Sequence, residues 1–462
     1  MAADFADEEF VKEDENDYDI IIIGAGLSGL TCAYHILRKQ IGLDVLVIEA
    51  NSEVGGRILQ KSFNNTYHAN FLQTHVTDLV TKLNIKIDQI SDAETRQRIL
   101  YTNNAALQIL PKFYGAEVYD FFQTMEENAL NLKFCNYAGH EEAKYLAETS
   151  VEQLLRKIVY FSYARSLCRA YICSTCAMRN LNHISALWFL VMLNGASGLV
   201  NRLKIMIGDS NRYFVQDGMS KITQTLLKYI LQQDGEIRYV EPVNKVTLND
   251  DRVYVSTGRN YFRCEFVVVA VPPSVQSTII IEPALSPTNI ETLYAPAENV
   301  FFNLVYKKPP SSSNSVKDIV TTWDSSNNLN IVYDATHGNA KEPVLAGFLA
   351  EPNLTQTHKK ELFSTLYDCY ETFEPSTILR YKEYDQSLIN DEINPGCPMS
   401  VLKPVSIANF TNHTEVSYES SAKIRIKSRT PQPLSLKVCV LQYLGIFLHV
   451  AVLVSFLKIA YD

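Results

Sequence analysis

Six residues near the N-terminus and one acid downstream carry the clearest chemistry in the chain. Gly24-Ala25-Gly26-Leu27-Ser28-Gly29 follows a β-branched run, and Glu49 stands 23 residues after Gly26. Gly24 permits a tight turn, and Gly26 lets the backbone approach a pyrophosphate. Gly29 lets a helix pack on the preceding strand, and the helix start aims N–H groups at the phosphates. Glu49 is placed to take ribose hydroxyls. Ala50 follows, and then Gly55-Gly56-Arg57. Two adjacent glycines permit a second close backbone approach, and Arg57 offers a planar fork for phosphate.

Other reactive side chains are less informative. Cys168, Cys173 and Cys176 have the spacing C-x4-C-x2-C, which an iron–sulfur centre could use. Their flanks are apolar and helical without loop glycines, so they read as core cysteines. His35 falls in the helix after the glycine turn and reads as structural. The remaining histidines show no HExxH or clustered ligand spacing, so no metal site is expected. Ser28 is not in a G-x-S-x-G elbow, so a serine hydrolase is not supported.

Positioning these groups requires strand, turn, helix and strand in order. Asp19–Ile23 reads as a buried strand, Leu27, Leu30, Ala33, Ile36 and Leu37 as the apolar face of a helix, and Leu43–Ile48 as a second buried strand. Further on, Glu141–Ala147, Val151–Val159 and Ser162–Met178 have helical spacing. Residues 297–306 and 329–350 read as strands, and Pro309-Pro310-Ser311-Ser312-Ser313 as a loop. The 462 residues suffice for about three domains. Hydrophobic residues make up 47% and charged residues 20%, ordinary for a globular chain. The net charge of −9 argues against nucleic acid as a partner. Residues 1–19 hold nine acids and one base, so nearly all of that charge is local. That segment reads as a solvated, disordered tail, opposite in sign to a secretory signal. The nine scattered cysteines are expected to be reduced.

The Glu49…Gly55-Gly56-Arg57 continuation resembles the opening of the flavin-containing amine oxidase family. The likeness continues through Ser185–Leu190, Tyr213–Gly218, Glu241-Pro242-Val243, Phe266–Pro273, Leu345–Phe348 and Asn394-Pro395-Gly396-Cys397, in that order. It is nearest to monoamine oxidases, less near to polyamine oxidases. It implies an α/β plus α+β fold of two domains: a Rossmann-type FAD domain and a mixed sheet and helical substrate domain, with a C-terminal hydrophobic helix. The implied boundaries are an acidic tail at 1–17, FAD-domain segments at 18–88 and 209–285, a helical part of the substrate domain at 89–208 and its sheet at 286–389. A divergent remnant of the FAD domain with a linker follows at 390–437, and a membrane anchor at 438–457. The resemblance sets Gly24, Gly26, Leu27, Ser28, Gly29, Glu49, Ala50, Gly56, Arg57, Val243 and Cys397 against FAD, with Cys397 able to hold the flavin covalently through a thioether. The implied reaction is oxidative deamination of a primary or secondary amine by O2, giving aldehyde, ammonia or amine, and H2O2. A homodimer is a further implication.

Four departures point to an alternative, a catalytically inactive amine-oxidase-like protein with a binding or scaffold role. The family's lysine near flavin N5 aligns with Phe302, which cannot replace an ammonium. An aromatic-cage tyrosine aligns with Pro398. Tyr67–Phe71 replaces a glycine-rich segment near the flavin. The family's closing strand and helix find no counterpart in residues 408–437, so either another element covers that edge of the FAD sheet or FAD is held weakly. Val438–Leu457 contains twenty uncharged residues, enough as a helix to span about 30 Å of hydrocarbon. Five bases precede it and Lys458 follows, so the positive-inside rule sets the bulk in the cytosol. The resemblance implies the mitochondrial outer membrane.

Overall fold

The structure is a computed structural model. It describes residues 16–58, 74–90, 97–102, 105–107, 112–132, 139–176, 178–195, 212–215, 218–249, 252–283, 293–296, 298, 300–307, 317–321, 329–334, 343–349, 356–369, 375–385, 390–391, 394–395, 400–407 and 438–440.

An eight-stranded sheet is built around β1 (Asn16–Ile23). β1 leads through α1 (Leu27–Leu37) to β2 (Val45–Ile48), which pairs parallel to it, a βαβ crossover. Beyond β2 lies β7 (Glu236–Arg238), also parallel. On the other side of β1 lies β10 (Tyr261–Val269), parallel, followed by β9 (Arg252–Thr257), β8 (Val243–Asn249) and β11 (Ile280–Glu282). The isoleucines of β1 explain its central place. Ile22 packs with α1 and α8 (Ser220–Gln232) on one face, while Ile21 and Ile23 pack with Leu46, Val253 and Val255 on the other. A strand covered on both faces reads as a continuous apolar run rather than an alternating one.

The last strand corrects one expectation and decides between two others. Val438–Val440 forms β21, parallel to Val267–Val269 of β10. These residues are strand where a hydrophobic helix was expected to begin. They also cover the half of the β10 edge that β9 leaves free, because β9 pairs only with residues 261–264. Another element thus covers this edge along residues 267–269. Residues 441–457 lie outside the described residues. Among the described residues, no helix is long and apolar enough to cross a membrane.

A second sheet has the order β17 (Ile378–Asp385), β13 (Val300–Tyr306), β16 (Val344–Leu349), β15 (Leu329–Asp334), β14 (Lys317–Thr321), β4 (Gln97–Thr102) and β5 (Ala105–Leu107). β4 and β5 lie in the stretch expected to be mostly helical. β4 pairs with β14, more than 200 residues away in sequence, and β5 pairs with β4. α10 (Gln356–Cys369) covers one face of this sheet. The helices α3 (Lys112–Asn131), α4 (Ala143–Glu148), α5 (Val151–Ile158), α6 (Ser162–Cys176) and α7 (Ala186–Gly195) form a separate core, joined by Ile331 and Phe348 of the sheet. Ser150 and Gln153 make a reciprocal capping box that starts α5.

Three short pairs complete the topology: β3 (Ile87–Ile90) with β6 (Arg212–Val215), β12 (Tyr294–Pro296) with β20 (Ser400–Leu402), and β18 (Asn390–Asp391) with β19 (Asn394–Pro395). Residues 400–405 are bound to the helical core through Ser185 N–H to Leu402 C=O, Lys403 N–H to Leu293 C=O and Val405 N–H to Ala147 C=O. The helix α2 (Thr74–Lys82) packs on the first sheet through Leu79 and Val80, and the short α9 (Pro273–Gln276) lies against β12.

Candidate functional site

The C-terminal ends of β1, β2 and β10 meet where the strand order reverses about β1. In open α/β sheets this is where ligands bind. Gly24 leaves β1 with φ +103°, a conformation that favours glycine. A Cβ there would lie 2.8 Å from the Ala270 carbonyl oxygen at the end of β10. A Cβ on Gly29 would lie 1.9 Å from the Gly24 carbonyl oxygen. These two glycines are fixed by backbone packing. Gly26 differs, because a Cβ there would meet nothing within 4 Å. The loop is held open toward space at the position where the sequence expects a pyrophosphate.

Gly26 is also the N-cap of α1, and no side chain caps that helix or supplies an acid in its first turn. The first-turn N–H groups therefore have no intrahelical partners. Ser28 is 4% exposed, and its Oγ has no hydrogen-bond partner. A buried orphan hydroxyl beside uncapped N–H groups suits a phosphate oxygen, which accepts from both. The Gly55-Gly56 turn docks onto this loop. Gly55 N–H donates to the Ala25 C=O at 3.0 Å, and Gly55 and Gly56 have φ +134° and +54°. Ala50 follows Glu49 just beyond the end of β2, and Arg57 lies in the short 3-10 turn Gly56–Ile58.

Glu49 is 7% exposed and holds the loops together. Its Oε2 accepts from Ala25 N–H at 2.7 Å, and its Oε1 from Asn51 N–H and Nδ2 at 3.0 and 2.9 Å. A carboxylate has about four acceptor positions, so one remains beyond these three bonds. The sequence reading gave Glu49 a ligand role and missed this structural one. Next to it, Val240 N–H donates to Asn51 C=O and Glu241 N–H to Glu49 C=O. The Glu241 carboxylate accepts from Thr257 Oγ at 2.6 Å and from Asn260 Nδ2, which clips the β9–β10 turn to the segment leading into Val243. Val240 has φ +57°, costly for a β-branched residue. Burial and the Glu49 charge raise the Tyr239 hydroxyl pKa above its ordinary value.

Phe302, which aligns with the family's lysine, lies on β13 of the second sheet. Its ring is fully buried in the core facing α10, with Leu304, Tyr306, Leu362 and Leu366. It lies over Gly347, whose added Cβ would come within 2.7 Å of the ring. The side chain is committed to that core, and a lysine there would bury an ammonium among apolar groups. The alternate positions 303 and 305 lie on the opposite face. Asn303 among them is buried with both amide atoms unpartnered. An amide inside Val-Phe-Phe-Asn-Leu-Val-Tyr was the sequence signal for it. Cys397, Pro398 and Tyr67–Phe71 lie outside the described residues.

The cysteines of α6 sit in the helical core. Burial pushes the Cys168 thiol up to about 12 and raises Cys173 as well. Among the described residues, no group of His, Cys, Asp and Glu is arranged to hold a metal ion.

Comparison with known proteins agrees with this geometry. The family model described as flavin containing amine oxidoreductase matches residues 27–380. A flavin-containing amine oxidase of Oncorhynchus mykiss is 22% identical over 86% of this chain and 78% of its own length. A probable flavin-containing monoamine oxidase A of Dictyostelium discoideum is 22% identical over 86% of this chain and 89% of its own. Among solved structures, a putrescine oxidase double mutant superposes with TM-score 0.76 at 20% identity, covering 97% of this chain and 99% of that one. The cyclohexylamine oxidase of Brevibacterium oxydans gives 0.74 at 19%, covering 96% and 98%. FAD is the cofactor this kinship implies, and the open Gly26 position, the uncapped helix start and the orphan Ser28 hydroxyl fit its diphosphate. With more than half of its length matched, the chain belongs to the flavin containing amine oxidoreductase family.

Proposed function

We propose that this chain holds FAD at the ends of β1, β2 and β10 and oxidises the C–N bond of a primary or secondary amine. With O2 and water the products are an aldehyde, the released ammonia or amine, and H2O2. The observation that carries the reading is the contrast among the three glycines: Gly24 and Gly29 are closed by backbone, and Gly26 faces open space. FAD supplies the two-electron acceptor that side chains lack. The chain's own residues bind and orient it. The first-turn N–H groups of α1 and Ser28 Oγ receive the diphosphate, and the remaining acceptor position of Glu49 takes a ribose hydroxyl. The Gly55-Gly56 backbone docks at the same end, Arg57 is the cation proposed for the phosphate, and Val243 would contribute backbone. Cys397 is the thiol that would fix the flavin covalently.

A second reading, FAD binding without turnover, draws on β13. Residues 300–306 contain no amine side chain, and Phe302 is enclosed in the core. One assay separates the two. The FAD-loaded full chain is given aryl- and alkylamines, and peroxide is followed with a coupled peroxidase. Peroxide that requires both amine and FAD supports the oxidase. Bound FAD with no peroxide across a broad amine panel supports the second reading.

A further inference from the structure

Asn303 is 1% exposed in the middle of β13, and neither Oδ1 nor Nδ2 has a hydrogen-bond partner. Buried amides in native proteins nearly always find partners, and an exception calls for a water or a ligand. Strand alternation turns Asn303 away from α10, because Phe302 and Leu304 occupy that face. Its face is shared with Ile331 and Phe348, which pack with α6 and α7. The residue opposite it on β16 is Ala346, which offers only a methyl group. Trp188 of α7 belongs to the same core as Ile331, and its Nε1 is likewise buried without a partner.

The layer between this sheet face and the helices thus holds an acceptor and donors that the protein leaves unused. The Asn303 amide and the Trp188 indole are both neutral, and the register partner of Asn303 on β17 is a lysine, Lys382, rather than an acid. A buried cation would need a carboxylate beside it, whereas a neutral polar group needs only hydrogen bonds. We propose that Asn303 is a substrate-positioning residue whose Oδ1 accepts an N–H of the amine bound in its neutral form. This rests on the amine oxidase reading and adds a specificity residue to it.

The test compares the FAD-loaded full chain with Asn303→Leu and Asn303→Ala, using benzylamine and n-butylamine as probes. Three quantities are read: the melting temperature without amine, the FAD dissociation constant, and the amine dissociation constant from the flavin difference spectrum. Losing one well-made hydrogen bond weakens amine binding about tenfold. FAD affinity is expected to stay unchanged. The leucine variant should melt no lower than wild type, since two orphan polar atoms are removed. The alanine variant guards against a leucine that does not fit. Unchanged amine affinity in both variants overturns the proposal. So does a lowered melting point together with weakened FAD binding, which marks a structural role. A wild type that binds FAD but answers to neither amine overturns it while leaving flavin binding intact. A wild type that binds no FAD fails the underlying reading first.

Discussion

Three glycines of one turn make separable predictions. Gly26→Ala adds a methyl to open space at φ −72°, so the fold should tolerate it, while FAD affinity falls because that space is reserved for the diphosphate. Gly29→Ala drives a Cβ into the Gly24 carbonyl, so melting temperature and FAD affinity fall together. A melting curve and a FAD titration on each variant check both. Val240 stores strain at φ +57° and is half exposed. Val240→Asn should recover about 1 kcal/mol, since asparagine accepts the left-handed region, and should raise the melting temperature. His35 is held to a pKa of about 4, by burial first and then by Lys82, Arg38 and Lys39. The unfolded chain takes up this proton near the ordinary value of about 6.5, so stability falls as pH drops from there toward 4. His35→Gln should flatten that part of the melting-temperature profile. The glycine roles were legible in the sequence because a turn's spacing is local. The bonds from Glu49 to Ala25 and Asn51 were not, because they depend on how two loops meet.

Among the elements, β21 is the informative case. An apolar run such as 438–457 suits a membrane helix, but a short stretch of it suits a buried strand equally, and periodicity cannot choose. The partner chooses, here β10. Removing residues 438–462 should expose the backbone of Val267–Val269, lower the melting temperature and increase aggregation, as unpaired edges do. Unchanged melting after truncation would count against the pairing. The unit β1–α1–β2 was readable because its apolar pattern, its turn and its partner strands are close in sequence. β4 and β5 were not, because β4 pairs with β14 across a long separation. Phe302 shows the limit of register. A shift of one residue moves a side chain to the other face of a sheet, and only the packing of Phe302 with Leu362 and Leu366 shows that it faces α10.

For the whole molecule, two sheets and a helical core divide the work. The first sheet presents an uncapped helix start and an open glycine, and the second presents a buried amide on the face toward α6 and α7. Family membership extends from residue 27 to residue 380 and so includes strands of both sheets. The central claim is that the glycine turn receives FAD. The direct measurement is the visible spectrum of the purified full chain after incubation with FAD and gel filtration, followed by acid precipitation. A flavin band co-eluting at about one per chain is the predicted result, and colour retained in the acid pellet would add a covalent bond at Cys397. A folded chain that elutes colourless after exposure to excess FAD would contradict the account.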